Sequence, residues 1–351
     1  MNGARIRQIQ YSIDKDHWKG EMTLIRFGVI GTNWITDSMI EAALQVEGFQ
    51  LTAVYSRTEE KAKEFADKYG IGHVFTDTEE MAASDVLDAV YIASPNSFHA
   101  KHSLTFLNQG KHVLCEKPIA SNPEELEEMI QAATRNQVVL MEALKTTLLP
   151  TFKAIQENLH KIGQARRYDA SYCKYSSRYD RYREGTVLNA FNPTFSNGSL
   201  MDLGVYCLYP LVVLFGEPKS VKANAVMLDS GVDGSGSLLL QYDDFEAVVT
   251  HSKIINAYRP SEIQGEEGTI IIDEISTPSK VMIRYRDGRE EMLGQALEHP
   301  SMYYEVEEFI QLIQNGELES KVNSHKNSMI TARIMVEARK QVGLLYPADQ
   351  R

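Results

Sequence analysis

The amino-acid sequence predicts an α/β protein in two parts, a doubly wound parallel sheet followed by an α+β region with a largely antiparallel sheet. The chain of 351 residues is longer than a single core usually supports, so two domains are expected. Between 24 and 142, short apolar strands alternate with amphipathic helices, which is typical of a parallel sheet. After a helix that begins near Ser199, strand patterns follow one another across Gly, Asp and Pro turns, which favours antiparallel pairing.

The first part alternates strand and helix patterns throughout. One helix start is marked by capping chemistry, because Asn122 precedes Pro123 and both residue types suit the beginning of a helix. Strands are expected in LIRFGVIG, FQLTAVYS, DAVYIAS, KHVLCEK and VVLMEAL, and helices in SMIEAALQV, TEEKAKEFADKYG, HAKHSLTFLNQG and NPEELEEMIQAATRNQ.

The second part begins with a helix at 151–161 and a strand at 165–175, followed by a loop and the helix near Ser199. A pair of helices at 301–315 and 325–344 closes the chain. Between them, strands are expected in SVKANAVMLD, GSGSLLLQYD, FEAVVTHSKI, PSEIQGEEG, TIIIDEI and KVMIRYRD.

Composition and charge exclude several classes of protein. The net charge is −12 and the basic residues are scattered, so neither nucleic acid nor an anionic membrane is expected as a partner. No segment approaches the roughly 18 apolar residues of a membrane span. The three cysteines, Cys115, Cys173 and Cys207, are too far apart for a C-x-x-C pair, and a reducing cytoplasm fits them. Residues 1–21 lack the apolar stretch of a secretory signal and are expected to form a disordered leader.

Four histidines were considered as metal ligands: His99, His102, His112 and His251. His99 and His102 are three residues apart in a predicted helix, but no Cys, Asp or Glu stands nearby at ligand spacing. We therefore expect no metal site.

The stretch IRFGVIGTNWIT, residues 25–36, predicts a buried strand that runs into a glycine turn. In dinucleotide-binding folds such a turn leads into a helix whose N-terminal N–H groups bind the pyrophosphate. The usual G-x-G-x-x-G/A pattern is incomplete, because Asn33 and Thr36 replace its last two positions. Asn tolerates positive φ, so Asn33 is expected to preserve the turn and to place an amide donor near a phosphate. Nucleotide contacts are expected from Gly31, Thr32, Asn33, Trp34 and Ile35. The alternative is a purely structural turn that binds no nucleotide.

The end of the second predicted strand indicates which nucleotide would bind. An NAD site usually offers Asp or Glu there to the ribose 2′-hydroxyl, whereas Arg accommodates a 2′-phosphate. This chain has Ser56 and Arg57, so NADP(H) is preferred and NAD(H) remains an option. The alternative interpretation is a solvated Arg at a helix entrance.

Longer motifs identify a family. The stretches at 91–120, 197–206 and 265–273 contain S-P-N-x-x-H, G-K-H-V-L-x-E-K-P, NGSLMDLGVY and GEEGTIIID, and with the glycine turn they resemble the Gfo/Idh/MocA oxidoreductases from residue 22 onwards. The resemblance implies a Rossmann domain at 22–142 and a substrate-binding and oligomerisation domain at 143–351. It further implies an open mixed sheet whose exposed face commonly forms a homodimer or homotetramer. The cofactor residues it adds are Ser94, Pro95, Asn96, His99, Glu116 and Lys117.

The resemblance also implies catalytic residues. In the family, the lysine of E-K-P acts with the Asp and His of D-x-x-x-H; here Lys117 and Asp202 match, and Tyr206 replaces the histidine. Tyrosine at this position is the pattern of glucose-fructose oxidoreductase and the dimeric dihydrodiol dehydrogenases. Four residues apart on a helix, Asp202 and Tyr206 share a face. We expect Lys117 to lower the pKa of Tyr206, which would act as the acid/base, and Asp202 to orient Lys117. The alternative for Tyr206 is core packing.

Departures from the family pattern bear on the substrate. Thr147 stands where an arginine is expected after E-A, and Asn189 stands where another arginine is frequent. Lys145 replaces some of that charge. The expected pocket is therefore less cationic and suits a neutral polyol or sugar, with candidate contacts from Lys145, Tyr175 and Asn189.

These observations predict an NAD(P)-dependent dehydrogenase or reductase acting on a hydroxyl or carbonyl of a sugar, polyol or dihydrodiol-like molecule. One alternative is a relative that uses bound NAD in glycoside cleavage. The other is a catalytically silent dinucleotide-binding sensor that regulates a partner protein.

Overall fold

The computed structural model describes residues 24–294 and 296–350, so the predicted leader at 1–21 lies outside the described residues. The first part forms a six-stranded parallel sheet in the order β3-β2-β1-β4-β5-β6. Its strands are β1 Ile25–Ile30, β2 Phe49–Tyr55, β3 His73–Phe75, β4 Ala89–Ile92, β5 His112–Glu116 and β6 Leu140–Ala143. Its helices are α1 Trp34–Ala43, α2 Glu59–Tyr69, α3 Thr78–Ala83, α4 His99–Leu107 and α5 Pro123–Asn136.

The strand order reverses at β1, which pairs with β2 on one side and with β4 on the other. Ile30 at the end of β1 is in register with Ile92 at the end of β4. Ligands of doubly wound sheets bind at such a switch point, outside the carboxyl ends of the strands. The loops after β1 and β4 therefore meet where a nucleotide is expected.

The second part forms an eight-stranded mixed sheet in the order β14-β13-β12-β11-β7-β10-β9-β8. Only β7 and β10 are parallel neighbours among these described strands, so the predicted fold class is confirmed. The strands are β7 Ala165–Cys173, β8 Ser220–Met227, β9 Asp233–Gln241, β10 Glu246–Ser252, β11 Ser261–Gly265, β12 Gly268–Ile272, β13 Val281–Tyr285 and β14 Glu290–Met292.

Five helices accompany the second sheet in the sequence. They are α6 Pro150–Asn158, α7 Ser177–Arg183, α8 Val205–Phe215, α9 Tyr303–Asn315 and α10 His325–Gln341. The sequence predicts a loop where α7 forms. None of the residues of α7 is buried, so this segment lacks the apolar periodicity that predicts a helix. A π-helical turn at Leu200–Gly204 leads into α8, and such turns frequently occur at functional sites.

Helix α9 lies late in the sequence but completes the core of the first sheet. Val306 and Phe309 are buried there, and the ring of Phe309 lies 5.8 Å from that of Phe27 on β1. The division at residue 142 therefore stays a prediction, because the first core recruits residues from far beyond it.

One stretch corrects the expectation that no segment has the length of a membrane span. The helical stretch Pro193–Phe215 is long and apolar enough to cross a membrane, but 67% of its most apolar part is buried inside the protein. Leu208 and Leu211 of α8 belong to the core of the second sheet. Its apolar character is thus explained by packing between the sheet and the neighbouring helices.

Candidate active site

A cleft of about 780 Å³ lies between the carboxyl ends of the first sheet and the second part of the chain. Most of the predicted site residues line it, whereas Gly31, Thr32, Ser56, Arg57 and Lys145 are not among its lining residues. The predicted residues that line the cleft are Asn33, Trp34, Ile35, Ser94, Pro95, Asn96, His99, Glu116, Lys117, Tyr175, Asn189, Asp202 and Tyr206.

The glycine turn after β1 requires its glycine. Gly31 has φ +104°, and a Cβ there would lie 2.7 Å from the carbonyl oxygen of Ala93 after β4. Thr36, which replaces the last small residue of the pattern, is fully buried, and its hydroxyl has no hydrogen-bond partner among the described residues. The chain therefore keeps the glycine that sets the turn and tolerates a larger residue one helical turn later.

Asn33 corrects one expectation. Its φ is −110°, so the positive φ of the turn belongs to Gly31 and not to Asn33. The side-chain Oδ1 accepts a hydrogen bond from the Ile35 N–H at 2.9 Å, and Nδ2 donates to the Ala93 carbonyl at 3.0 Å. Asn33 thus caps α1 and ties the turn to β4. Its side-chain amide is engaged within the protein, which leaves its backbone N–H as its candidate phosphate donor.

The proposed 2′-phosphate residues lie directly after β2. Ser56 is buried, and its N–H donates to the Phe75 carbonyl at 3.2 Å. Arg57 is exposed, and its guanidinium has no hydrogen bond or ion pair with any described residue. A guanidinium without a protein partner at this strand end can bind a phosphate without breaking an existing contact.

The S-P-N-x-x-H motif connects the segments that follow β4 and β5 with each other and with the second part of the chain. The His99 ring is buried between the carbonyls of Pro118 and Ser94, at 2.9 and 2.8 Å. Asn96 Nδ2 donates to the Ser196 carbonyl at 2.9 Å. Burial lowers the pKa of His99, although both carbonyl contacts oppose the shift. The side chains of His99 and Asn96 therefore stabilise the shape of the cleft through hydrogen bonds within the protein.

The histidines considered as metal ligands are occupied elsewhere. His102 contacts the Ser94 hydroxyl at 3.0 Å, and burial lowers its pKa to about 4. His112 accepts from the Val139 N–H, and His251 contacts the Ser199 hydroxyl at 2.9 Å. Within 24–294 and 296–350, no group of three or more His, Cys, Asp or Glu could hold a metal ion.

Lys117 and Asp202 meet in the cleft as predicted from the motifs. Lys117 Nζ donates to Oδ1 and to the backbone carbonyl of Asp202, both at 3.0 Å. Burial would lower the pKa of Lys117, but the neighbouring Tyr206, Asp202 and Glu116 raise it overall. Burial would raise the pKa of Asp202, but its cationic neighbours hold it well below its usual value. Both groups are therefore charged at neutral pH.

The other oxygen of Asp202 has a partner that sequence reasoning missed. Lys253, just after β10, places Nζ 2.8 Å from Asp202 Oδ2 and is only 2% exposed. Its ammonium also donates to the Ala190 carbonyl at 2.9 Å and to Asn197 Oδ1 at 3.2 Å. No motif signals this residue, because a lysine at the end of a strand is usually solvated.

Tyr206 lies against Lys117 but without a hydrogen bond to it. Lys117 Nζ is 4.8 Å from the centroid of the Tyr206 ring, and the centroids of the Tyr206 and Tyr172 rings lie 5.5 Å apart in a T-shaped arrangement. Burial raises the pKa of Tyr206, and Lys117 offsets only part of this shift. The expectation of a lowered pKa is therefore wrong for this arrangement, because the desolvation of Tyr206 outweighs the attraction of Lys117. The phenol is protonated at neutral pH.

The candidate substrate residues separate into two groups. Tyr175 and Asn189 line the cleft, and Tyr175 donates its hydroxyl to Asp180 at 2.7 Å. Lys145 does not line it and instead donates to Ser301 at 3.0 Å.

The expectation of a less cationic pocket stays a prediction. The cleft is also lined by Lys174 and Arg178, whose side chains have no ion pair with described residues, and by the missed Lys253, which is paired with Asp202.

Two family models match the chain. The model described as an oxidoreductase family with an NAD-binding Rossmann fold matches residues 25–144. The model of the GFO/IDH/MocA C-terminal domain matches residues 157–271. Together they cover the first sheet, most of the second sheet as far as β12, and most of the motifs that carry the resemblance.

Characterised relatives match over nearly the whole chain. A scyllo-inositol 2-dehydrogenase (NADP(+)) of Bacillus subtilis is 62% identical, with 93% of this chain and 100% of the relative covered. A trans-1,2-dihydrobenzene-1,2-diol dehydrogenase of Danio rerio is 32% identical, with 93% and 99% covered. A 3-ketoreductase of Actinomadura kijaniata, solved with TDP-benzene and NADP, shares the fold with a TM-score of 0.77 at 23% identity, with 91% of this chain and 98% of that chain covered.

These findings confirm the predicted nicotinamide cofactor and the predicted enzyme class, a dehydrogenase or reductase acting on CH–OH groups. They favour an enzyme over the silent sensor. By its motifs, its fold and its similarity along nearly its full length, the chain belongs to the Gfo/Idh/MocA family of NAD(P)-dependent oxidoreductases.

Proposed function

We propose that this chain is an NADP(H)-dependent dehydrogenase of a cyclic polyol of the inositol type. The observation that carries the proposal is the Lys117–Asp202 ion pair beneath the Tyr206 ring, in the same cleft as the glycine-turn residues Asn33 and Trp34. The similarity to an NADP(+)-dependent scyllo-inositol 2-dehydrogenase supports the substrate class.

Residues of the first sheet would hold the dinucleotide. Its pyrophosphate would lie at the turn at 31–35, where Gly31 lets the turn pack against Ala93 and α1 begins at Trp34. Ser94, Pro95, Asn96, His99 and Glu116 line the adjoining part of the cleft. Ser56 and the unpaired Arg57 suit a 2′-phosphate, which favours NADP(H) over NAD(H).

The bound nicotinamide supplies or accepts the hydride. In polyol oxidation, the Tyr206 hydroxyl oxygen, as phenolate, takes the proton of the substrate hydroxyl; in reduction, the phenol returns it. Lys117 favours the phenolate electrostatically from the ring face, and Asp202 holds the Lys117 ammonium in place.

The remaining lining residues suit a hydroxylated substrate. Tyr175, Asn189 and Asn197 offer polar atoms to the cleft, and Lys174 and Arg178 offer donors without competing carboxylates among the described residues. A polyol presents several hydroxyl groups that accept from cations as readily as from amides.

We infer that the chain forms a homodimer or homotetramer through the open face of the eight-stranded sheet. Val226, Leu239 and Met292 on this sheet are 59%, 55% and 61% exposed, which is unusual for apolar side chains on three different strands. Analytical sedimentation of the parent chain and of a Leu239→Lys variant tests the interface. A monomeric parent chain contradicts it.

The three cysteines are free thiols, in keeping with the predicted cytoplasmic location.

A nicotinamide-absorbance screen tests the function. Inositol isomers, linear polyols, sugars and a dihydrodiol are offered with NADP⁺ and with NAD⁺. We expect the highest kcat/KM for an inositol with NADP⁺. Turnover only with a dihydrodiol or an aldose contradicts the substrate class, and equal use of both cofactors contradicts the role of Arg57.

A further inference from the structure

Asp202 is shared by two lysines whose ammonium groups are used differently. An ammonium has three N–H donors. All three donors of Lys253 have partners: Asp202 Oδ2, the Ala190 carbonyl and Asn197 Oδ1. Lys117 donates only to Asp202 among the described residues, so one of its donors stays available to the cleft.

Lys253 is fixed at its backbone as well as at its ammonium. Its N–H donates to the Gly234 carbonyl, and its own carbonyl accepts from the Ser176 N–H, both at 2.9 Å. The backbone of Lys253 therefore joins the end of β10 to the start of β9, and its side chain joins β10 to the segment at 189–197 and to the helical turn that carries Asp202. A fully engaged ammonium has no donor left for a substrate.

The charges explain what a second lysine adds. Lys117 and Asp202 alone sum to zero, so Tyr206 would face an ion pair without net charge. Tyr206 lies in the field of Lys117 and Glu116 from the end of β5, Tyr172 from β7 and Glu305 from α9, and of these only Lys117 is cationic. The two carboxyl groups and the buried ring all disfavour a phenolate. A cation that neutralises Asp202 leaves the charge of Lys117 uncompensated.

We propose that Lys253 is a positioning residue of the reaction, which engages one oxygen of Asp202 so that Lys117 keeps its orientation and its net positive charge beside Tyr206. This inference rests on the proposed roles of Tyr206 and Lys117. Lys253 acts on the reaction through Asp202 and does not contact the reacting atoms.

The experiment compares Lys253→Met, which removes the charge and keeps the length, with Lys253→Arg, which keeps the charge. Lys321→Met, at a position 86% exposed, is the matched control. Oxidation of the polyol requires the phenolate, so turnover rises with pH below the pKa of Tyr206. For Lys253→Met we expect kcat at neutral pH to fall about tenfold, so that its pH profile is displaced upwards by about one unit. Lys253→Arg should recover most of the loss.

NADPH binding and thermal unfolding separate this role from simple packing. A Lys253→Met enzyme that loses stability but keeps the pH profile of the parent overturns the proposal, and so does a pH profile that shifts equally in Lys253→Arg. Should Lys253→Met not fold, Lys253→Gln removes the charge while keeping a donor for Ala190.

A second readout does not depend on turnover. The onset of tyrosinate absorbance in the NADP⁺ complex is followed up to the highest pH at which the complex stays folded, and the Tyr206→Phe signal is subtracted. We expect the Tyr206 onset at higher pH in Lys253→Met. An unmoved onset overturns the role of Lys253. A shifted onset together with absence of turnover for every polyol overturns the proposed function alone.

Discussion

The two sides of the cleft are held together by different forces. The nucleotide side, residues 31–35 and 94–96, is fixed by neutral hydrogen bonds such as Asn33 Nδ2 to the Ala93 carbonyl. The catalytic side, residues Lys117, Asp202, Tyr206 and Lys253, is fixed by ion pairs in buried surroundings. Neutral hydrogen bonds contribute modestly and locally, whereas a broken buried ion pair leaves a charge without a partner. Substitutions on the catalytic side should therefore change stability and chemistry together.

The largest expected effect separates chemistry from binding. Tyr206→Phe keeps the ring and its contact with Tyr172 but removes the hydroxyl that exchanges the proton. We expect kcat to fall by about 100-fold or more, while NADP(H) affinity stays close to that of the parent. Stopped-flow absorbance gives kcat and fluorescence titration gives the affinity. Tyr258→Phe, at a residue 93% exposed, is the control, and undiminished turnover in Tyr206→Phe would remove this residue from the mechanism.

The next effect tests the charge on the catalytic side. Asp202→Asn leaves the ammonium groups of Lys117 and Lys253 facing a neutral amide, and Lys253 is almost fully buried. A fully buried pair would cost about 3 kcal/mol or more; because Asp202 is 36% exposed, we expect about 2 kcal/mol of lost unfolding free energy. Urea denaturation measures the loss. If Asp202→Asn unfolds at the same urea concentration as the parent protein, ion pairs do not stabilise the catalytic side.

A smaller effect is expected on the nucleotide side, next to β2. Arg57→Ala removes a guanidinium with no protein partner among the described residues, so stability should not change. The NADP(H) affinity should weaken about tenfold, because the lost charge-assisted hydrogen bond contributes about 1.5 kcal/mol to binding. The NAD(H) affinity should not change. Isothermal titration with both cofactors measures this, with Arg289→Ala as a remote control. Parallel losses for both cofactors would show that Arg57 does not contact the 2′-phosphate.

The site residues whose local setting the sequence predicts are those whose neighbours are close in the chain. Gly31 follows its strand directly, and Asp202 and Tyr206 stand four residues apart where the π-helical turn runs into α8. Lys117 ends a contiguous motif. For such residues, periodicity and turn chemistry determine the local geometry.

The residues that the sequence missed depend on long-range placement. Lys253 reaches Asp202 because β10 pairs in parallel with β7, a neighbour that the order of strands does not predict. The sign of the Tyr206 pKa shift depends on how deeply the ring is buried, which follows from the packing of three separate elements. Helix α7 buries none of its residues, so its pattern is indistinguishable from that of a polar loop.

The smallest effect concerns the departure from the glycine pattern itself. Asn33→Gly restores the usual second glycine but removes both the cap of α1 and the bond to Ala93, so we expect a loss of about 1 kcal/mol in unfolding free energy. NADP(H) affinity should be unchanged, because the side-chain amide is already engaged within the protein. Asn33→Ser, which keeps a cap acceptor and removes only the donor to Ala93, should lose about half as much. A drop in cofactor affinity with unchanged stability would mean that the amide leaves Ala93 to bind phosphate, and that the nucleotide side rearranges when the cofactor arrives.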